Sequence, residues 1–474
     1  MVVKVLYGKE KKERVPVSTG EKILQIINLV AIVVVLGILT YRAYSYKAYF
    51  DGLLDAQAPA ESTLATALKE KAEGNLSVFK DENGDYYYID DPDNNYVIYS
   101  GKLFRVIRVL KSDIVKMVVE ETVGISALNR SESFDQSALN RWLNSDSESP
   151  ENTGVFEKSL RDPHAFLASG TFCIDRIDDA NHIACTINSP EVEITMLTLE
   201  DYLSTGGAKG FLNNGQEYWL ASNTNDYQYW YVNHDGNLSV SDYDTQLIGV
   251  RPVVFINFNV LVESGAGTKK DPFVLKGDIL NPTKVSELSG GKYVTYSDKL
   301  WRVIQIDENG AAEVILQDYV RNSDGREVSV SYGTASSYNS SSGAGGYLNS
   351  TFLQTLDRYE DFLEVHKWYY GGIKQADGFD FKGNFDYSTE CYVGIPNTAT
   401  MYNGGFNGIF LSSYDAHNTD TVYVFDENGN LYADFDWRSY KLRPTVALKG
   451  EIAITGGAGT ADNPYTVDIA ASGN

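Results

Sequence analysis

The strongest feature of the hydrophobic pattern is one uninterrupted apolar run near the N-terminus. Residues 23–41 read ILQIINLVAIVVVLGILTY and contain no charged side chain. A helix rises about 1.5 Å per residue, so a run of this length roughly spans the hydrocarbon core of a bilayer. Six Lys and Arg lie within residues 1–22, and tyrosines follow the run, which favours a cytoplasmic N-terminus. The pattern predicts a basic cytoplasmic segment, a single transmembrane helix that acts as a signal anchor, and extracellular domains.

Three alternative interpretations of residues 23–41 stay open. A cleaved signal peptide has a shorter apolar core that ends in small residues, whereas this run continues into Tyr-Arg-Ala-Tyr-Ser-Tyr. A pilin-like N-terminal helix begins with a different motif from the Gly-Glu-Lys found here. A buried core helix is the third alternative. The preferred interpretation places the chain at a bacterial cell surface, with residues 23–41 in contact with the lipid bilayer.

Shorter hydrophobic stretches follow the apolar run. A stalk and a leading strand are predicted over 42–92, with a helix over 61–73 because Ala, Leu, Lys and Glu favour helices. Farther along the chain, Val, Ile, Tyr and Phe alternate with polar residues, and Asn-Gly and Asp-Gly dipeptides interrupt them. This alternation is typical of strands joined by tight turns.

The chain contains an internal repeat. Its first match pairs YVIYSGKLFRVIRV, at 96–109, with YVTYSDKLWRVIQI, at 293–306. Three more matches follow in the same order: 142–144 with 347–349, 250–254 with 442–446, and 264–274 with 456–466. The four offsets are 197, 205, 192 and 192 residues. Ordered matches at a nearly constant offset predict a duplicated structural unit.

The duplication sets the predicted domain organisation. We expect a first repeat over 93–277, a linker over 278–290 and a second repeat over 291–470. Each repeat is long enough to bury a core of its own. Within each repeat, the pattern predicts one half-buried opening strand, then short helices, and then two hairpins. The helices are expected over 137–143, 197–203 and 352–363.

Each repeat resembles a bacterial extracellular family with a C-type lectin-like fold, akin to the formylglycine-generating (sulfatase-modifying) enzymes and to retroelement-diversified receptor proteins. The segments that carry the resemblance are 139–144, 218–222 and 249–253 in the first repeat, and 346–349, 410–413 and 442–444 in the second. The resemblance implies an α+β fold class: an N-terminal single transmembrane helix followed by two tandem C-type lectin-like domains. The copper-binding cysteine pair of the formylglycine-generating enzymes is missing after Cys185 in the first repeat, so their activity is not expected.

Net charge narrows the partners. The chain carries 40 Lys and Arg against 64 Asp and Glu, a formal net charge of −24. Nucleic acid is excluded as a partner, because phosphate binding needs clustered Lys and Arg. The acidity also argues against docking on anionic lipids or wall polymers. Neutral glycans or proteins are the expected ligands.

Aromatic residues are the candidates for ligand contact. Trp and Tyr offer rigid faces with a polar edge, which suit stacking on sugar rings or packing in interfaces. The candidates are Tyr227, Tyr229 and Trp230 in the first repeat, and Trp368, Tyr369 and Trp437 in the second. Ordinary core packing is the alternative role for all of them.

Other conspicuous residues are expected to be structural. Each repeat has an Arg-Pro pair in an apolar strand, Arg251-Pro252 and Arg443-Pro444. We expect each Arg to form an internal ion pair or to bind loop carbonyls, with anion binding as the alternative. Trp142 and Trp219 are expected in the core. The turns at Asp81–Gly84, Asp307–Gly310 and Asp426–Gly429 lack the spaced oxygens of a calcium loop and are interpreted as hairpin turns.

The cysteines predict a disulfide and no metal. Cys173 and Cys185 are 12 positions apart in two strand-like segments, so a disulfide between them is a candidate, whereas Cys391 lacks a partner in its own repeat. No zinc-binding or nucleophile motif occurs, and no cofactor is predicted.

The combined prediction is a membrane-anchored adhesion protein that binds an extracellular glycan or protein through its two repeats. Catalysis is uncertain and leans to none. One alternative is a structural component of a cell-envelope or pilus-like assembly, and a cell-wall-acting enzyme is another. The sequence leaves the oligomeric state open.

Overall fold

The computed structural model describes residues 62–126, 128, 134–145, 154–180, 185–224, 228–241, 248–279, 281–333, 338–373, 384–397, 409–415, 420–425 and 431–468. We call residues 62–279 the first half and residues 281–468 the second half. Residues 62–474 form one compact unit. The predicted transmembrane helix at 23–41 and the cytoplasmic segment at 1–22 lie outside the described residues.

Each half contains a β-hairpin where the sequence pattern predicted the single opening strand of a repeat. In the first half, strands Tyr96–Tyr99 and Lys102–Val109 are antiparallel and joined by the two residues Ser100 and Gly101. Both joining residues have positive φ, at 51° and 67°, which is the backbone of the turn that matches the twist of paired strands. Ser297 and Asp298 repeat this turn, each with φ of 54°.

The first half contains fourteen strands among its described residues. They are β1 Val78–Lys80, β2 Tyr86–Tyr88, β3 Tyr96–Tyr99, β4 Lys102–Val109, β5 Val115–Val119, β6 Gly124–Ser126, β7 Ile194–Met196, β8 Tyr218–Asn223, β9 Tyr229–Val232, β10 Leu238–Ser241, β11 Ile248–Val250, β12 Pro252–Ile256, β13 Val262–Ser264 and β14 Phe273–Leu275. They form two sheets. The large sheet has the order β13-β14-β3-β4-β5-β12-β7, with β2 also paired to β4 and β1 to β2, and the small sheet has the order β10-β9-β8-β11-β6.

The described part of the second half also contains fourteen strands. They are β15 Tyr293–Tyr296, β16 Lys299–Ile306, β17 Ala312–Leu316, β18 Ser329–Ser331, β19 His366–Ile373, β20 Asn384–Cys391, β21 Val393–Gly394, β22 Ile409–Asp415, β23 Thr421–Phe425, β24 Leu431–Phe435, β25 Ser439–Lys441, β26 Thr445–Leu448, β27 Ala453–Gly456 and β28 Tyr465–Asp468. The large sheet has the order β27-β28-β15-β16-β17-β26-β21. This order corresponds to that of the first half's large sheet. In both sheets the last strand of the half pairs in parallel with the first strand of the hairpin described above, β14 with β3 and β28 with β15.

The small sheet of the second half differs by one added hairpin. Strands β24-β23-β22-β25-β18 follow the order of the first half's small sheet. In addition, β22 pairs in parallel with β19, and β19 pairs antiparallel with β20. The described residues of the first half contain no such pair of strands. At the corresponding place the first half has only isolated antiparallel bridges, Gly170 with Val192 and Cys173 with Asn188, so the regular β19–β20 hairpin distinguishes the second half.

Helices are short. They are α1 Leu64–Ala72, α2 Ala138–Leu143, α3 Val155–Lys158, α4 Pro163–Phe166, α5 Leu199–Ser204, α6 Gly343–Tyr347 and α7 Tyr359–Phe362. The predicted helix over 352–363 is broken into a π-helical turn, a 3₁₀ turn and α7. The break falls at Arg358, whose φ of 48° is incompatible with a right-handed helix.

The repeated Leu-Asn motif attaches a helix to a sheet in both halves. Asn144 ends α2, and its side-chain amide pairs with the backbone of Ile194 in β7: Nδ2 donates to the carbonyl at 2.8 Å, and Oδ1 accepts from the amide at 3.0 Å. Asn349 forms the same two bonds with Val393 in β21, at 2.8 and 3.0 Å. The asparagine thus replaces a neighbouring strand at this edge of the large sheet.

Two hydrophobic clusters fill the two halves. The first is built on the large sheet of the first half and includes Trp142 and Trp219, which are 1% and 0% exposed. It also includes Ile304 and Ile315 of the second half, so the halves pack against each other. The second cluster lies around Trp301 and β17.

The predicted α+β fold class is wrong for the described residues. Strands dominate, helices make up about 16%, and the longest described helix has nine residues. The physical reason is the period-two alternation, which places side chains correctly on a sheet but not on a helix. The repeat boundaries proposed from the sequence stay a prediction.

The membrane prediction also needs correction. Within the described ranges, no helix has both the length and the apolar character needed to cross a bilayer. The nine residues of α1 would span only about 13 Å. This finding counts against the transmembrane helix, the signal anchor and the single-pass membrane localisation, and we do not carry those predictions forward.

Candidate functional site: a cleft between the two halves

A cavity of about 1000 Å³ opens where the two halves meet. The first half contributes residues around α3 and α4, and the second half contributes the end of β16, the start of β17 and the start of β19. We call this cavity the inter-repeat cleft and define it by its lining, residues 145, 157–158, 160–164, 286, 288, 305–309, 313, 364–369, 395 and 397. Its size suits a small ligand or a short polymer segment.

Backbone contacts fix the halves beside the cleft. The Gly290 amide donates to the Ser159 carbonyl at 3.1 Å. Lys102 Nζ donates to the Ser159 and Gly290 carbonyls at 3.3 and 2.9 Å. Arg161 donates to the Glu287 carbonyl and lies 3.4 Å from an oxygen of Asp278. Three of these bonds cross between the halves: Gly290 to Ser159, Lys102 to Gly290, and Arg161 to Glu287.

The position of Lys102 between the halves changes the pKa of its amino group. Burial, reinforced by the nearby cations Lys292 and Arg302, lowers the pKa of Lys102 to about 7. Burial likewise raises the pKa of Asp278, which Arg161 partly offsets. The contact between the halves therefore contains one amino group, that of Lys102, whose charge responds to neutral pH.

The added hairpin supplies the aromatic wall of the cleft. Trp368 and Tyr369, two of the residues selected from the sequence, both line the cavity. Trp368 is only 5% exposed, and its indole donates to the Cys391 carbonyl at 3.0 Å. Its ring lies so close to Gly394 that a Cβ there would be 2.3 Å from it. Tyr369 is half-buried, with Lys367 Nζ 4.8 Å from its ring centre.

A tight turn places one carboxylate at the cleft. The Asp307 amide donates to the Ala311 carbonyl at 2.9 Å, and Gly310 has φ of 85°. Asp307 Oδ1 accepts from the amides of Asn309 and Ala311 at 2.9 and 2.8 Å. Since Oδ1 holds the turn, Oδ2 is left to face the cleft. The sequence interpretation of this segment as a turn describes its backbone but misses this second role.

The lining is predominantly acidic. Six acidic side chains line the cleft against three basic ones: Glu157, Asp162, Asp307, Glu308, Glu313 and Glu364 against Lys158, Arg161 and Lys367. Burial raises the pKa of Glu313, partly offset by His366. Burial and the neighbouring Asp307 raise the pKa of Glu364. The electrostatics favour neutral or cationic ligands.

One histidine lies among the carboxylates. His366 Nδ1 is 3.6 Å from Glu364 Oε1 and 3.8 Å from Asp307 Oδ2. Its ring lies on Trp368, with the ring centres 4.6 Å apart. In the described residues, Cys173, Asp175 and Cys185 form another group of potential metal ligands. The two cysteines of that group are bonded to each other.

The other aromatic candidates lie away from the cleft. Tyr227 lies outside the described residues. Tyr229 is 0% exposed in β9, and Trp230 is half-buried with its indole donating to the Ile177 carbonyl at 2.8 Å. Trp437 is 65% exposed and stacks on Phe435, with ring centres 5.6 Å apart. Trp437 is thus a second exposed surface candidate, separate from the cleft lining.

The repeated arginines lie in the interior. Arg251 is 0% exposed and donates to the carbonyls of Val119 and Leu212 at 3.1 and 2.8 Å. Arg443 is 2% exposed and donates to the Leu316 carbonyl at 2.9 Å. Pro252 and Pro444 follow them in chain order, with Pro252 starting β12. Of the two structural roles considered for these arginines, the geometry matches binding to carbonyls.

Two of the three cysteines form a disulfide and the third is a free thiol, as the spacing in the sequence suggested. Cys173 and Cys185 form a disulfide with their Cα atoms 5.6 Å apart. Cys391 is a buried free thiol, and burial raises its pKa to about 11. Disulfides persist mainly in oxidising compartments.

Sequence reasoning missed most of the cleft. His366, Asp307, Glu313 and Glu364 belong to no contiguous motif, and only the fold brings them together. A usable signal is the aromatic pair Trp368 and Tyr369, which follows His366 closely in the sequence. Compared with models of protein families, with curated proteins and with solved structures, the chain matches none. The family resemblance inferred from the sequence therefore stays a prediction.

Proposed function

We propose that this chain is a non-catalytic binding protein that holds a segment of neutral glycan in the inter-repeat cleft. The observation that carries the proposal is the cleft itself, an acidic cavity of about 1000 Å³ lined by both halves with an aromatic wall from the added hairpin. A glycan combines apolar ring faces with many hydroxyl groups. Aromatic side chains can stack on the apolar ring faces, and carboxylates and amides can form hydrogen bonds with the hydroxyl groups.

The polar lining supports recognition of hydroxyl groups. Gln305, Asn309 and Asn397 line the cleft together with the carboxylates, and a carboxylate accepts hydrogen bonds from several hydroxyls. Anionic ligands are disfavoured because acidic side chains outnumber basic ones in the lining. A neutral sugar avoids that repulsion and still uses the acceptors.

Aromatic contact is expected at Tyr369 more than at Trp368. Trp368 is only 5% exposed, whereas Tyr369 is half-buried and so leaves more of the residue accessible to a ligand. Truncation of an aromatic contact in a binding site commonly costs about 1–2 kcal/mol or more. A Tyr369→Ala variant is expected to weaken ligand binding by roughly tenfold.

The test is glycan-array binding by the full chain, followed by titration with the best neutral oligosaccharide. Tyr369→Ala is compared with Trp437→Ala, a matched aromatic truncation outside the cleft. Loss of affinity in Tyr369→Ala with retention in Trp437→Ala supports the proposal. The reverse result moves the site to the exposed Phe435–Trp437 surface and contradicts it. Release of reducing sugar during incubation would show turnover and contradict the non-catalytic assignment.

A further inference from the structure

The carboxylates that converge in the cleft have no basic partner. Among the described residues, no Lys or Arg nitrogen lies within 4.0 Å of Asp307, Glu313 or Glu364, and the only ion-pair contacts of Asp307 and Glu364 are to His366. Partly buried charges of one sign repel each other strongly unless a counter-charge lies between them. A bound cation at this point of the cleft would reduce that repulsion.

The geometry of three side chains matches what a metal ion requires. The candidate ligand atoms of Asp307, Glu364 and His366 all lie within 4.8 Å of one another. The distances of 3.6 and 3.8 Å from His366 Nδ1 to the two carboxylates are longer than hydrogen bonds. Two ligands on one ion, each about 2.0–2.2 Å from it, lie roughly 3 to 4.4 Å apart.

Two oxygens next to the cluster point to the same conclusion independently. Glu313 is 5% exposed and lines the cleft. Its Oε2 accepts from Gln305 at 2.8 Å, and no group in the described part of the chain donates to its Oε1. Gln305 Oε1 is itself buried without a hydrogen-bond partner. An unpartnered buried acceptor such as Gln305 Oε1 is costly, and a cation or its bound water would satisfy it.

We propose that Asp307, Glu364 and His366 bind one divalent transition-metal ion in the inter-repeat cleft, with Glu313 and Gln305 accepting from metal-bound water. A ligand set of one imidazole and two carboxylates suits Zn²⁺ or Mn²⁺, whereas Ca²⁺ takes oxygen ligands. The site is independent of the glycan proposal, since its ligands need no sugar. It goes beyond that proposal by adding a resident cation to the cleft.

The experiment titrates the full chain with ZnCl₂ by calorimetry, and with CoCl₂ by visible absorption. The wild type is expected to bind one equivalent of Zn²⁺ and to give the absorption bands of Co²⁺ in a protein site. Asp307→Asn keeps the turn, because Asn also accepts amide hydrogen bonds, and His366→Phe keeps a ring against Trp368. Each variant is expected to weaken binding at least tenfold.

Two controls make the result decisive. Glu308→Gln removes a carboxylate from the same cleft lining, and His164→Ala removes the other lining histidine; both are expected to bind Zn²⁺ as the wild type does. Circular dichroism establishes that every variant is folded. Equal loss in all four variants would mean diffuse electrostatic binding and would overturn the proposal. So would unchanged stoichiometry and affinity in folded His366→Phe.

Discussion

The amide of Asn349 provides the sharpest test of the fold. The substitution Asn349→Leu keeps the side chain's approximate size and removes both bonds to Val393. The Val393 carbonyl still accepts from the Tyr338 hydroxyl at 2.8 Å, so at Val393 only the amide loses its partner. The bond from Asn349 Nδ2 to the Gly345 carbonyl, at 3.0 Å, is lost as well. Val393 is 0% exposed, which means that water cannot replace the lost acceptor.

The magnitude follows from these contacts. Each of the two hydrogen bonds lost at Val393 contributes about 0.5–1.5 kcal/mol to stability, and leaving the buried Val393 amide without an acceptor costs about 1–3 kcal/mol. These contributions overlap, so we expect Asn349→Leu to lower the free energy of unfolding by about 2–4 kcal/mol. Because Asn144 has the same two distances to Ile194, Asn144→Leu is expected to have a cost of the same order.

The assay is urea unfolding followed by tryptophan fluorescence, combined with hydrogen exchange of the segment that contains Val393. The matched control is Asn237→Leu, since Asn237 is exposed and its side chain has no hydrogen bond in the described structure. Faster exchange at Val393 in Asn349→Leu alone localises the effect. The reasoning is refuted if both Asn349→Leu and Asn144→Leu cost no more than the control.

Three further predictions concern other parts of the molecule. In the native oxidised protein at pH 8, no thiol should react rapidly with a disulfide reagent, because Cys173 and Cys185 are bonded and burial raises the pKa of Cys391 to about 11. Unfolding without reductant should expose one reactive thiol per chain. Three reactive thiols per chain would contradict the disulfide. The pKa of Lys102 is lowered to about 7 from an ordinary value of 10.5. Between these two pH values the unfolded state binds more protons than the native state, so the Lys102 contribution to stability should rise with pH across that window. Lys102→Met should flatten the slope of unfolding free energy against pH, and an unchanged slope would refute the shift. Gly394→Ala should lower stability by about 1–3 kcal/mol and change tryptophan emission, because its Cβ would meet the Trp368 ring; a silent substitution would contradict that packing.

The sequence predicted the duplication better than it predicted the elements within each copy. The Leu-Asn and Arg-Pro motifs recur because they perform the same backbone-binding tasks at Asn144 and Asn349, and at Arg251 and Arg443. The opening hairpins were missed because alternation continues smoothly through the turn. Ser100-Gly101 is a recognisable turn dipeptide, but Ser297-Asp298 is not, since neither residue is glycine.

The cleft could not be derived from the sequence for a different reason. Asp307 and Glu313 belong to the β16–β17 hairpin, whereas Glu364 lies in the connection from α7 to β19, 51 residues beyond Glu313. Local patterns report which face of an element is buried, but they carry no information about which elements meet. The aromatic segment at Trp368 and Tyr369 was selected because Trp and Tyr side chains suit ligand contact, and residue type is a signal that the sequence does carry.

The asymmetry between the halves explains where a binding site arises in a duplicated protein. Both halves have the same large sheet, so the sheet alone cannot distinguish them. The regular β19–β20 hairpin occurs only in the second half among the described residues, and it begins at His366, which lines the cleft together with residues of α3 and α4. The inter-repeat cleft therefore has walls of different chemistry, one from each half. It follows that the site belongs to the pair of halves, and that substitutions at Lys102 or Gly290, which touch no ligand, should alter the cleft by changing how the halves meet.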